Sequence, residues 1–180
     1  MEPITPHKIR AIFFDSGDTI VDEGTEIKDA SGTALRAELI PGAADTIRAL
    51  KARGYCLALV ADGPAGTFYN TLGPPGVLAL FDTLAISGLV GVEKPDPLIF
   101  RHAFQQMGIT PAEYGRVVMV GNNLSRDIKG ANGLGLISVW LDWAPRRSKI
   151  PADASEQPCY TIKTPAELLD LITYIEKSLP

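Results

Sequence analysis

Asp15 closes the apolar run Ile9-Arg10-Ala11-Ile12-Phe13-Phe14 and is followed at once by Ser16-Gly17-Asp18-Thr19. A carboxylate thrown off the end of a buried strand into a tight loop is held rigidly. It can act there as a covalent nucleophile or as a ligand for a hard cation. The plainer alternative is an Asx turn, with Gly17 and Asp18 serving only the turn. Three more polar clusters stand near apolar runs: Ala61-Asp62-Gly63, Glu93-Lys94-Pro95-Asp96-Pro97 and Gly121-Asn122-Asn123-Leu124-Ser125-Arg126-Asp127. Ligands of open parallel sheets bind outside the carboxyl ends of the strands, so clusters far apart in sequence can meet in one crevice.

The elements that must position these clusters are legible from the apolar pattern. Continuous apolar runs at 9–14, 56–61, 83–87, 117–120 and 136–141 suit strands covered on both faces. Helix signals alternate with them. Ala43, Ile47 and Leu50 share one face before Gly54, and Ile99, Phe100, Ala103, Phe104 and Met107 form a stripe stopped by Gly108. A further helix is expected from about Ser125 to Asn132. The last opens with the capping box Thr164-Pro165-Ala166-Glu167, after which Leu168, Ile172 and Ile175 face the core. This alternation predicts an α/β doubly wound domain. Residues 26–37 read as a small hairpin turning at 29–32, and residues 142–158 as a surface loop.

At 180 residues, the chain favours one domain. A net charge of −4 argues against a nucleic-acid partner, which would leave a basic footprint. The first six residues carry no apolar signal-peptide core, and no apolar run is long enough to cross a bilayer. A cytoplasmic setting without a membrane partner is therefore expected. Cys56 falls in an apolar run and is expected in the core, and neither Cys56 nor Cys159 has a neighbour at metal-ligand spacing. His7 is expected at the surface and His102 on a helix beside the apolar stripe. Arg146 and Arg147 follow the fifth run closely enough to contact an anionic substrate, or to be solvated loop charges.

With four clusters in this order, the chain resembles the haloacid dehalogenase superfamily of hydrolases and phosphotransferases. The resemblance covers roughly residues 9–141. Its most specific parts are Gly91-Val92-Glu93-Lys94-Pro95-Asp96-Pro97-Leu98-Ile99-Phe100 and Val120-Gly121-Asn122-Asn123-Leu124-Ser125-Arg126-Asp127-Ile128-Lys129-Gly130-Ala131. It implies a Rossmann-like parallel five-stranded sheet in the order 5-4-1-2-3 with helices on both faces. By residue, it implies Asp15 as nucleophile and Mg²⁺ ligand, with the Gly17 carbonyl, Asn122 and Asp127 completing the metal's surroundings. Lys94 would pair with the phosphoryl group and keep Asp15 ionised. Ala61, Asp62 and Gly63 occupy the substrate-binding segment.

Three positions depart from the family's pattern. Gly17 stands where phosphatases of the family carry a second Asp as general acid and base, Ala61 where a Ser or Thr binds phosphate, and Asn122 where a carboxylate is usual. Asp62 would bring negative charge near an anion, so it is expected to cap a backbone group or to turn away. The resemblance implies a Mg²⁺-dependent phosphatase acting on a small phosphorylated substrate or a phosphorylated macromolecule. The altered positions leave open a scaffold that binds such a ligand, or a protein partner, without turnover. The 36 residues between Thr19 and Cys56 and the 31 between Asp62 and Lys94 leave no room for a cap domain of about 50 residues. The expectation is therefore a single domain over residues 1–180, with a flap at about 20–40 and an open site that a second copy of the chain would cover.

Overall fold

The computed structural model describes residues 7–180, so the terminal segment read for a signal peptide lies outside the described residues. In chain order the elements are β1 (Ala11–Phe14), the hairpin strands β2 (Ile27–Lys28) and β3 (Ala34–Arg36), α1 (Ala43–Ala52), β4 (Leu57–Ala61) and α2 (Ala65–Leu72). There follow β5 (Thr83–Ile86), the short α3 (Ser87–Val90), α4 (Pro97–Met107) and β6 (Val117–Gly121). A π-helical turn, Leu124–Ile128, leads into α5 (Lys129–Leu134), and the chain ends with β7 (Ile137–Leu141), β8 (Tyr160–Ile162) and α6 (Glu167–Ser178).

The main sheet is wholly parallel, in the order β5-β4-β1-β6-β7-β8. Its first five strands lie in the expected order, and β8 adds a sixth edge strand that the sequence pattern did not announce. That strand has three residues, of which only Ile162 is buried, too short and too polar to make an apolar run. Strand alternation sends Ile12, Phe14, Leu57, Leu59, Val118 and Val120 to one face, under α1, α2 and α6. Ala11, Phe13, Ala58, Val60, Val117 and Met119 go to the other, under α4 and α5. Burial on both faces explains why these strands read as continuous apolar runs.

The helices form near their signals, except that α6 starts at Glu167 with Ala166 as its cap rather than at Thr164, and the helix expected from about Ser125 begins as a π turn. Asp96 caps α4 by accepting from Leu98 N, and Gly108 stops it in a left-handed conformation. Thr164 Oγ1 and the backbone N of Lys163 both donate to the Glu167 carboxylate at the start of α6, where Leu168, Ile172 and Ile175 are buried as expected. Two expectations need correction. Cys56 is exposed, because it stands one residue before β4 at the open amino end of the sheet. His7 is half-buried, stacked on Tyr55 with ring centroids 3.9 Å apart.

The hairpin forms where predicted. Asp29 Oδ1 accepts from Ser31 N and Thr33 N across the turn, and Gly32 takes φ 85° there. Its inner strand is fastened to α2: Ala34 N donates to Thr67 Oγ1, and Asn70 Nδ2 donates to Ala34 O, each at 3.0 Å. Ala34 is fully buried, so losing a partner leaves a backbone group unpaired. Asn70→Ala is expected to cost about 1–3 kcal/mol locally, read as faster amide exchange confined to 27–36. Unchanged exchange there would mean the hairpin is held by other contacts.

Candidate active site

The carboxyl ends of the central strands carry the site. Phe14 pairs with Leu59 on one side and Val120 on the other, and Asp15 N donates to Val120 O at 3.0 Å. This pairing anchors the Asp15 backbone at the lip of the sheet. The loop before α4 brings in Lys94 from the far side of β4. Its Nζ lies 2.7 Å from each of three oxygens: Asp15 Oδ1, Val60 O and Asp127 Oδ1. The first two are well-directed hydrogen bonds. The third is an ion contact with poor angles, since Asp127 Oδ1 is left without a hydrogen-bond partner.

Local backbone explains Asp127. The wide π turn packs its side chain inward, where Oδ2 accepts from Asn123 N at 2.9 Å. Such turns inside helices recur at functional sites. Gly121 makes room for it, because a Cβ there would fall on the Asp127 carboxyl group. Asn122 is fixed by Trp140 Nε1, which donates to its carbonyl at 2.9 Å, while its side-chain Nδ2 is buried without a partner.

The charges interlock. Burial opposes the charge on Lys94, yet the pull of Asp127, Asp15 and Asp62 together holds its pKa above the ordinary value. Burial, followed by repulsion from Asp15, lifts Asp127 to about 7 despite Lys94. Asp15 and Asp127, both buried, thus share one ammonium.

Asp15, Gly17, Asp62, Lys94, Asn122 and Asp127 line a single polar cleft of about 70 Å³. Ala61 and Gly63 do not line it. Ala61 is buried in β4, and Gly63 N is bonded to Ser87 Oγ. Of the two expectations for Asp62, capping is the one observed, and the side chain stays in the cleft lining. Its Oδ1 accepts from Lys94 N at 2.9 Å and its Oδ2 from Arg126 Nη1 at 3.1 Å, and burial raises its pKa against the pull of Lys94. Of the two arginines, Arg147 reaches the cleft and pairs with Glu23 at 3.1 Å, whereas Arg146 is held by Asp18 and Asp22.

Glu23 and Arg126 also line the cleft, and sequence reasoning gave neither a role. Arg126 directly precedes Asp127 in the polar cluster after the fourth apolar run, which was a usable signal. Glu23 had none, because its place depends on how the loop after Asp15 folds back. Asp18 is fully buried with φ 51° and accepts from Glu23 N at 3.1 Å, which plants Glu23 at the cleft. Burial raises the Asp18 pKa, and one of its oxygens has no partner. Burial likewise raises Glu23, with Arg147 acting in the opposite direction.

A family model for haloacid dehalogenase-like hydrolases matches residues 32–135, a span that contains Lys94, Asn122 and Asp127. The chain belongs to the haloacid dehalogenase-like hydrolases. Asp15 lies upstream of the matched span. A glyceraldehyde 3-phosphate phosphatase from Methanopyrus kandleri is 33% identical over 137 residues, which cover 76% of this chain and 58% of that one. A phosphoserine phosphatase from Thermus thermophilus is 35% identical over 123 residues, 68% of this chain and 47% of that one. The chain thus spans about half the length of the curated relatives it matches. Among solved structures, a haloacid dehalogenase phosphatase from Thermococcus onnurineus superposes with a TM-score of 0.72 at 22% identity, covering 91% of this chain and 97% of that one, a likeness of fold. No helix among the described residues is long and apolar enough to cross a membrane.

The donor set can be tested for Mg²⁺. Among the described residues, no three His, Cys, Asp or Glu side chains converge as a metal-holding group. Asp15, Asp127 and the Asn122 amide nevertheless line one cleft, with Asp127 Oδ1 free of hydrogen bonds. Mg²⁺ keeps several waters and is bound through one or two carboxylates. The residues therefore fit a largely hydrated Mg²⁺ held by two carboxylates and an amide.

Proposed function

We propose that this hydrolase is a phosphatase acting on phosphate monoesters through a phosphoryl group carried on Asp15. The observation that supports the reading is the buried Lys94 ammonium, held 2.7 Å from both Asp15 and Asp127 in the lining of a polar cleft. Lys94 engages Asp15 Oδ1. That leaves Oδ2, with one long hydrogen bond of 3.3 Å from the Thr19 hydroxyl, to attack phosphorus. The P–O bond to the alcohol breaks, Lys94 stabilises charge on the transferred phosphoryl oxygens, and water then cleaves the acyl phosphate to free Asp15. Mg²⁺, bound by Asp15, the Gly17 carbonyl, Asn122 and Asp127, would neutralise charge on the phosphate. Substrates are small phosphorylated metabolites, the class named in the relatives, with the two-stranded hairpin as flap.

Hydrolysis of p-nitrophenyl phosphate and a panel of phosphorylated metabolites, with and without Mg²⁺, tests the reading. Absence of turnover across the panel, with phosphate analogues still bound in calorimetry, would favour a binding scaffold instead. Asn122→Asp adds a third carboxylate and is expected to tighten Mg²⁺ by about tenfold, the effect of roughly 1.4 kcal/mol, in a calorimetric titration. No gain would remove Asn122 from the metal's surroundings.

A further inference from the structure

Phosphoryl transfer from an ester leaves an alkoxide that needs a proton, and the attacking water later has to lose one. Most titratable groups of the cleft are already committed. Asp15 is the nucleophile. Asp62 has both oxygens bonded, to Lys94 N and Arg126. Asp127 is held by Asn123 N and Lys94. Arg126 and Arg147 do not release protons in proteins. Glu23 is the carboxyl left, its one side-chain partner being Arg147 at the exposed rim, 3.1 Å away.

The position of Glu23 is built rather than incidental. A Cβ on Gly17 would overlap Glu23 Oε1 and lie 2.8 Å from Cδ and 2.9 Å from Cγ. Gly17 is not among the residues with positive φ, so its backbone does not require glycine. Its missing side chain instead opens the space that the Glu23 carboxyl fills, two residues along the chain from Asp15. The Glu23 side chain is 31% exposed, so it can exchange protons with solvent.

We propose that Glu23 is the proton donor and acceptor of this site, reaching over Gly17 from the loop behind it. The assignment rests on the phosphatase reading above. As Asp15 forms its bond to phosphorus and the ester P–O bond breaks, the Glu23 carboxyl passes its proton to the departing alkoxide. The resulting carboxylate then takes a proton from the water that attacks the acyl phosphate. The water oxygen bonds to phosphorus as the bond between phosphorus and Asp15 Oδ2 breaks, so that Asp15 is a free carboxylate again, inorganic phosphate departs and Glu23 is again protonated.

Glu23→Gln keeps the shape and the hydrogen-bonding reach to Arg147. It is expected to lower kcat on a poor leaving group such as glycerol 2-phosphate by about 10²–10⁴. On p-nitrophenyl phosphate, whose leaving group needs little protonation, the loss should be at least tenfold smaller. The double variant Gly17→Asp with Glu23→Ala moves a carboxyl into the same space on a different backbone position, and is expected to recover at least tenfold over Glu23→Ala alone. Equal losses on both esters, or none, would overturn the assignment while leaving the phosphatase reading intact. A wild type inactive on both esters, or one unaffected by Asp15→Asn, would overturn both.

Discussion

Asp15→Asn is expected to abolish phosphate-ester hydrolysis while leaving the fold at least as stable as the parent. Loss of a covalent nucleophile costs on the order of 10⁴–10⁶ in turnover, measured on the p-nitrophenyl phosphate assay with Mg²⁺ present. The stability half of the expectation comes from the charge count around Lys94. Asp15 and Asp127 are both buried and share one ammonium. Neutralising Asp15 leaves Lys94 and Asp127 as a balanced pair, so thermal unfolding should move up or stay in place. A variant as active as the parent would remove Asp15 from the chemistry. A marked fall in melting temperature would mean that the Asp15 charge itself holds the loop.

Lys94→Met should behave in the opposite way. The methionine stem fills the same tunnel, but Asp15 and Asp127 then face each other without a countercharge, and Val60 O loses its donor. Removing one partner of a buried ionic cluster typically costs about 3–5 kcal/mol. Chemical denaturation should therefore show a large loss of stability, and hydrolysis should fall by at least 10³ because both the phosphoryl oxygens and Asp15 lose their cation. Added Mg²⁺ should restore part of the stability by supplying positive charge to the two carboxylates. A Lys94→Met protein as stable as the parent would mean that the carboxylates take up protons or water without strain.

Much of this arrangement was legible in the sequence, for identifiable reasons. Asp15, Lys94 and Asp127 announce themselves because each sits in a polar cluster that interrupts a strongly apolar pattern, and a parallel sheet brings such interruptions to one edge. Strand β8 was not legible, since three residues with one buried side chain produce no periodic signal. The helix expected from about Ser125 begins instead as a π turn, because Asp127 bonds back to Asn123 N rather than pointing along a regular helix. Gly17 and Asp18 both read as turn residues, and the one of the two with positive φ is Asp18. The reason for Gly17 is the Glu23 carboxyl, a neighbour through space that spacing along the chain does not reveal.

The three oxygens around Lys94 come from the end of β1, from within β4 and from the turn after β6. Their separations from Lys94 in sequence are 79, 34 and 33 residues. No subset of neighbouring elements can assemble that socket, because its parts meet only when three non-sequential strands are aligned side by side. A chain that has collapsed but has not yet docked β6 onto β1 would bury a cation with only part of its complement. Contacts of such sequence separation form late in folding. During recovery from denaturant, catalytic competence should therefore return together with the last long-range strand pairing, so that regained activity reports the completed sheet.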